Sequence, residues 1–171
     1  GQPRAVIGVG DGNRALAVGA DGTALVRENG AWRKVTSPTT RFLRNVSGPN
    51  WNRLLVVGDS GTLLRWDGSR LLPETIAPVT ANLRASLQRA RGDAFVAGDN
   101  GVLLRFNGAT WSRLLGPTLN SMRAIHEVDG IVYIAGEFGQ IWRQDGESWT
   151  AIPVDQLGFW LDLAGSDELI V

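Results

Sequence analysis

The sequence predicts an all-β chain of repeated four-stranded antiparallel units, and three observations carry that prediction. Paired glycines recur at a nearly fixed period: Gly19, Gly58, Gly98 and Gly136 are separated by 39, 40 and 38 residues, and each is followed three residues later by Gly22, Gly61, Gly101 or Gly139. Short apolar runs alternate with turn dipeptides along the chain, and no sustained i, i+3, i+4 pattern of a helix interrupts them. Twenty-two glycines and seven tryptophans in 171 residues suit many short strands joined by tight turns.

Each unit opens with an apolar run carrying a central arginine, here named strand A: Arg4-Ala-Val-Ile, Leu43-Arg44-Asn45-Val46, Leu83-Arg84-Ala85-Ser86-Leu87 and Met122-Arg123-Ala124-Ile125. A polar turn leads to strand B, at Ala15 to Val18, Leu54 to Val57, Ala94 to Ala97 and Ile131 to Ala135. The glycine-flanked turns come next, Gly58-Asp-Ser-Gly61 and its three counterparts, and are expected to be tight hairpins. Their last glycine should take the positive φ of a type I turn with a bulge.

Strand C carries apolar residues on both faces: Val102, Leu104 and Phe106 alternate with Leu103 and Arg105, and Thr62, Leu64 and Trp66 with Leu63 and Arg65. A strand apolar on both sides is covered on both sides, so the units must stack face to face. Asn29-Gly30, Asp67-Gly68, Asn107-Gly108 and Asp145-Gly146 then read as type I′ hairpins. Strand D begins at Trp32, Trp111 and Trp149, with Arg70-Leu71-Leu72 replacing the tryptophan in the second unit. Pro38, Pro78, Pro117 and Pro153 close the units and suit an edge strand that must not continue pairing.

Four antiparallel strands in about forty residues, apolar on both faces and stacked on their neighbours, describe a β-propeller blade. The expected organisation is a single repeat domain over residues 1–171, with units at about 4–39, 43–78, 83–117 and 122–153 and a partial fifth at 159–171. In that fifth unit Phe159 to Leu163 reads as strand A and Glu168 to Val171 as strand B. About four blades plus part of a fifth imply an open or incomplete ring. Such an array should leave an apolar face bare at each end, formed by Leu16, Val18, Leu25 and Val26 at one end and by the partial unit at the other. Completion by a second copy, or by further chain, is the expected remedy.

Composition excludes several function classes. Seventeen basic and 17 acidic residues cancel, so no global field draws the chain to nucleic acid or an anionic membrane. There is no cysteine, which removes disulfides, thiolate catalysis and thiolate metal sites, and leaves the compartment open. No run has the length of a membrane-crossing helix.

The repeated pattern Leu-Arg-x-Val, then Val-Gly-x-x-Gly-x-Leu-x-Arg-x-(Asp/Asn)-Gly-x-x-Trp, resembles the Asp-box/BNR-type propeller repeats. It is most similar to those of photosystem II assembly factors and of secreted bacterial propellers. The resemblance covers nearly the whole chain, implies a propeller, points to an extracytoplasmic setting and places strand A innermost. Phe106-Asn107-Gly108-Ala109-Thr110-Trp111 and Gln144-Asp145-Gly146-Glu147-Ser148-Trp149 lack the serine of the strict Asp-box, which speaks against a sialidase.

Candidate catalytic groups are few. The one tyrosine, Tyr133, lies inside a strand B run and reads as packed core. His126, the one histidine, has no Gly-x-Ser-x-Gly elbow to serve and reads as a surface or strand-end residue. Asp59 and Asp99 are single turn carboxylates without the multi-oxygen loop that calcium requires, so no metal and no cofactor is expected. Two arginine series remain. Arg27, Arg65, Arg105 and Arg143 end strand C, where stems packed between units and heads bound to carbonyls or acids account for them. Arg4, Arg44, Arg84 and Arg123 of strand A are the candidate binding residues, facing the central channel. The expected function is a non-enzymatic module for protein–protein interaction or assembly. A carbohydrate-binding or sialidase-type propeller, and a fragment or engineered part of a larger propeller, are the alternatives.

Overall fold

The computed structural model describes residues 3–9, 13–154, 164–165 and 169–170. Among them are four antiparallel sheets of four strands each. The first holds β1 (Pro3–Val9), β2 (Arg14–Gly19), β3 (Ala24–Glu28) and β4 (Ala31–Lys34); the second β5 (Leu43–Asn50), β6 (Arg53–Gly58), β7 (Leu63–Trp66) and β8 (Leu71–Pro73). The third holds β9 (Leu83–Gln88), β10 (Ala94–Gly98), β11 (Leu103–Phe106) and β12 (Trp111–Leu114); the fourth β13 (Met122–Val128), β14 (Ile131–Gly136), β15 (Ile141–Asp145) and β16 (Ser148–Ile152). Each sheet is a plain meander in chain order, strands A to D. A short antiparallel pair follows, β17 (Ala164–Gly165) and β18 (Leu169–Ile170). The strand expected at Phe159 to Leu163 lies outside the described residues. No ladder among the described residues joins the first sheet to the fourth.

The two-faced alternation within strands B and C is what stacks the sheets. Leu16, Val18, Ala24 and Val26 of the first sheet meet Leu54, Val56, Leu64 and Trp66 of the second. Leu55, Val57 and Leu63, on the opposite face of the second sheet, meet Ala94, Val96, Val102 and Leu104 of the third. Phe95, Ala97 and Leu103 then meet Val132, Ile134 and Trp142 of the fourth. A step of one residue along a strand therefore changes which interface a side chain enters. This corrects most of the expected end face: Leu16, Val18 and Val26 are fully buried against the second sheet, and of the four only Leu25, on the opposite face of its strand, is merely half-buried.

The glycine-flanked turns keep the expected positive φ at Gly22, Gly61, Gly101 and Gly139, 65°, 70°, 65° and 67°, but differ from expectation in turn type. Ser60 and Gly61 both have positive φ, 51° and 70°, and the Thr62 amide donates to the Asp59 carbonyl, which makes a type I′ turn. The amide of Gly58, not that of Asp59, donates to the Thr62 carbonyl, so the bulge lies before the turn. The freed Asp59 amide donates to the Phe42 carbonyl ahead of strand A at 2.9 Å, while Gly61 donates to the Ala81 carbonyl of the next unit at 2.8 Å. A Cβ on Gly61 would lie 1.9 Å from the Val79 carbonyl oxygen, so glycine answers a close backbone approach as well as its φ. These bonds tie each unit to the start of its successor.

The Asn29-Gly30 turn is type I′ as expected, with φ of 51° and 82°. At Asp67-Gly68 and Asn107-Gly108 only the glycine has positive φ. There the Asp67 and Asn107 side chains accept the amides of the residues two and three ahead, and an Asx-anchored turn replaces the two-residue hairpin.

Candidate functional site: the arginine-lined channel

Strand A is innermost. β1, β5, β9 and β13 lie side by side, each in contact with the next, and together they line a cavity of about 360 Å³. Its lining includes all four candidates, Arg4, Arg44, Arg84 and Arg123, with small residues such as Ala5, Ala85 and Ala124 beside them.

A shared backbone device places the arginines. In each sheet the pairing of strand A with strand B slips at the arginine: Leu43 faces Gly58 and Asn45 faces Val57, leaving Arg44 as the extra residue. The same slip isolates Arg4, Arg84 and Arg123. A β-bulge of this kind re-aims one side chain while keeping the strand in its sheet. Here it turns three guanidinium groups onto the acid that follows the first turn glycine. Arg44 forms a two-pronged pair with Asp59. Arg84 donates to Asp99 through Nε at 2.8 Å and a terminal nitrogen at 2.6 Å. Arg123 bonds Glu137 through one terminal nitrogen, and its buried Nε has no partner.

Electrostatics follow this geometry. Burial pushes the Asp99 carboxyl up, but the hydrogen bonds from Arg84 and Asn82 and the Arg84 charge outweigh it, leaving Asp99 below the usual range. The Arg84 guanidinium is raised in turn, chiefly by its hydrogen bond to Asp99. Glu137 is lowered, first by the hydrogen bond from Arg123. A polar chain crosses between neighbouring strands: Asn45 Oδ1 accepts from the Ser86 amide and hydroxyl, and the Ser47 and Ser86 hydroxyls are 2.8 Å apart.

The first unit breaks the pattern. Ala20 stands where Asp59, Asp99 and Glu137 stand in the others, and among the described residues no carboxylate pairs with Arg4, which is exposed. The four arginines are thus brought together, three neutralised and one not. The acids that neutralise them read in the sequence as turn residues only. The signal that could have revealed them is their spacing of 15, 15 and 14 residues from Arg44, Arg84 and Arg123, absent in the first unit.

Tyr133 and His126 do not join this site. They face each other across β13 and β14, with Tyr133 packed against Ala135 and Ile141. Among the described residues no group of three or more acidic or histidine side chains could hold a metal ion.

Comparison with solved structures bears on the fold. The structure titled YCF48 bound to D1 peptide superposes with a TM-score of 0.70 at 17% identity, over 87% of this chain and 54% of that one. YCF48 from Cyanidioschyzon merolae gives 0.72 at 15% identity, over 95% of this chain and 60% of that one. The fold is a β-propeller. No family model and no curated protein matches the sequence. The four sheets are accordingly blades 1 to 4, and the chain spans between about half and three fifths of the length of these propellers.

Proposed function

We propose that this propeller is a non-enzymatic interaction module, one repeat domain whose inner arginine channel receives an acidic segment of a protein partner. The observation that carries the reading is Arg4, a guanidinium with no carboxylate partner among the described residues, in a row where the other three have one. Such a group offers a two-pronged donor to an incoming carboxylate, and the paired arginines hold their own acids out of its way. The likeness to a propeller solved with a bound peptide supports the same direction. Self-association through the outer face of blade 1, where Trp32 is 48% exposed, is the second partner in this reading.

Fluorescence anisotropy with a labelled acidic peptide and its amidated counterpart provides the test. Arg4→Ala should weaken binding by roughly tenfold, about 1.4 kcal/mol, and the amidated peptide should bind no better than that. Equal affinity for the two peptides, or indifference to Arg4→Ala, rejects the channel as the site. The carbohydrate reading calls for free tryptophan faces. Trp111 and Trp149 instead pack against the blade 2–3 and blade 3–4 cores. A glycan array with hydrolysis assays separates the two classes.

A further inference from the structure

On the side of the A–B and C–D turns, equivalent grooves run between successive blades, and two of them differ by one carboxylate. The groove between blades 2 and 3, about 520 Å³, is lined by Arg65, Glu74, Phe106 and Trp111 among others. The groove between blades 3 and 4, about 470 Å³, is lined by Arg89, Arg105, Arg143 and Gln144 among others. Arg65 and Arg105 hold the same place in their blades, opposite Leu72 and Ser112 on strand D. Two residues farther along strand D, Glu74 donates its amide to Leu63, and its counterpart opposite Leu103 is Leu114.

Glu74 completes the first groove. One of its oxygens accepts from Arg65 Nε at 2.8 Å and the other from the Trp111 indole at 3.3 Å. The second groove keeps the arginine and loses the acid. Arg105 Nε is buried without a hydrogen-bond partner, and among the described residues neither Arg105 nor Arg143 is held by a carboxylate. Arg89, deeper in the groove and 4% exposed, is already bound by Asp93 at 3.1 Å and Glu127 at 2.9 Å. Asp145 sits exposed at the rim, where solvent screens it. A buried Nε–H left unpaired costs free energy that an arriving acceptor recovers.

We propose that the groove between blades 3 and 4 is a carboxylate-binding site, in which an external carboxylate takes the place that Glu74 fills in the neighbouring groove. Arg105 Nε–H and the Arg143 guanidinium are the donors. The carboxylate comes either from a small molecule or from an acidic side chain of a partner.

The test follows the arginine Nε–H resonances of the full chain by NMR at constant ionic strength. Succinate is one probe, and a glutamate tripeptide blocked at both ends is the other. The Arg105 resonance should move saturably with at least one probe, and the tighter of the two identifies the source. Arg105→Gln should weaken binding at least about tenfold without affecting the channel peptide, which separates this site from that of Arg4. Leu114→Glu, by supplying the carboxylate internally, should suppress the response to a similar degree. If that variant does not fold, Glu74→Leu decides, because it should open a second saturable response at Arg65. Linear or absent shifts with both probes overturn the proposal. So do a preference for inorganic phosphate, an undiminished response in Leu114→Glu, or silence at Arg65 in Glu74→Leu.

Discussion

At the residue scale, two kinds of position carry the blade joint: glycines that let backbones touch, and acids that hold the channel arginines. Gly61→Ala must pay for left-handed backbone, about 1–2 kcal/mol, and for displacing the Val79 carbonyl, about 1–3 kcal/mol more. Gly108 has positive φ but nothing within 4 Å of an added Cβ, so Gly108→Ala should lose only the first part. Denaturant unfolding of both variants checks this, and equal losses would show that close approach contributes nothing. Asp99 and Glu137 have lowered pKa values in the folded chain. Their stabilisation is therefore complete above the unfolded values of 3.8 and 4.5 and is lost as pH falls through the folded ones. Glu127 is raised by its burial and acts in reverse, favouring the folded chain as it takes up its proton. Asp99→Asn should cost about 1–3 kcal/mol at neutral pH and flatten the acid limb of a midpoint-against-pH curve below about pH 4. An unchanged limb would mean that the Arg84–Asp99 pair contributes little.

At the element scale, the tryptophans report where blades meet. Trp66 ends strand C of blade 2 fully buried, its ring edge-on to Trp51 with centroids 5.3 Å apart. The strand D tryptophans lean toward the preceding blade: Trp111 packs on the blade 2–3 core and Trp149 on the blade 3–4 core, both partly buried as the outer position of strand D predicts. Trp32 occupies the same strand position in blade 1 and is 48% exposed. Trp66→Ala should therefore cost about 3–5 kcal/mol, whereas Trp32→Ala should stay within about 0.5 kcal/mol. Unfolding midpoints of these two, alongside Trp111→Ala and Trp149→Ala, test the order. At concentrations where the chain is monomeric, a Trp32 variant as damaged as Trp66 would show that this ring is packed within the chain.

At the scale of the whole molecule, blades stack through three successive cores, and the outer face of blade 4 carries a fourth apolar cluster of Ala124, Ala135 and Ile141 with Tyr133 and Ile152. Repeat arrays of this kind draw stability from neighbour interfaces, so the end blades have the most to gain from a partner. The self-association proposed above is tested at this scale. Mass photometry at micromolar concentration should show a species of twice the 18.4 kDa chain mass, and Trp32→Arg should shift it toward monomer. A monomer at every concentration, unaffected by that substitution, removes self-association from the functional reading.

The order and number of strands and the blade as a unit were legible from the sequence, because a 40-residue period and a two-residue alternation are local properties that survive whatever the neighbours do, whereas the inner position of strand A came only with the resemblance to known propeller repeats. The same alternation, however, does not say which face meets which blade. Leu16, Val18 and Val26 were expected at an open end and are instead buried against blade 2, a choice made by the stacking order alone. Turn type was also decided in three dimensions: Ser60 and Phe138 take left-handed φ that neither side chain favours, because their turns are clamped to the chain ahead of strand A and, at Ser60, to the Asn82 side chain. The candidate arginines could be named from their recurrence. That each sits on a bulge, that three are neutralised by acids 14 or 15 residues away, and that among the described residues Arg4 has no such acid and Arg105 lacks the carboxylate that Arg65 possesses follow from register and interblade contact. Such pairings join residues remote in the chain, and only packing brings them within the 3 Å or so at which a charge finds its partner.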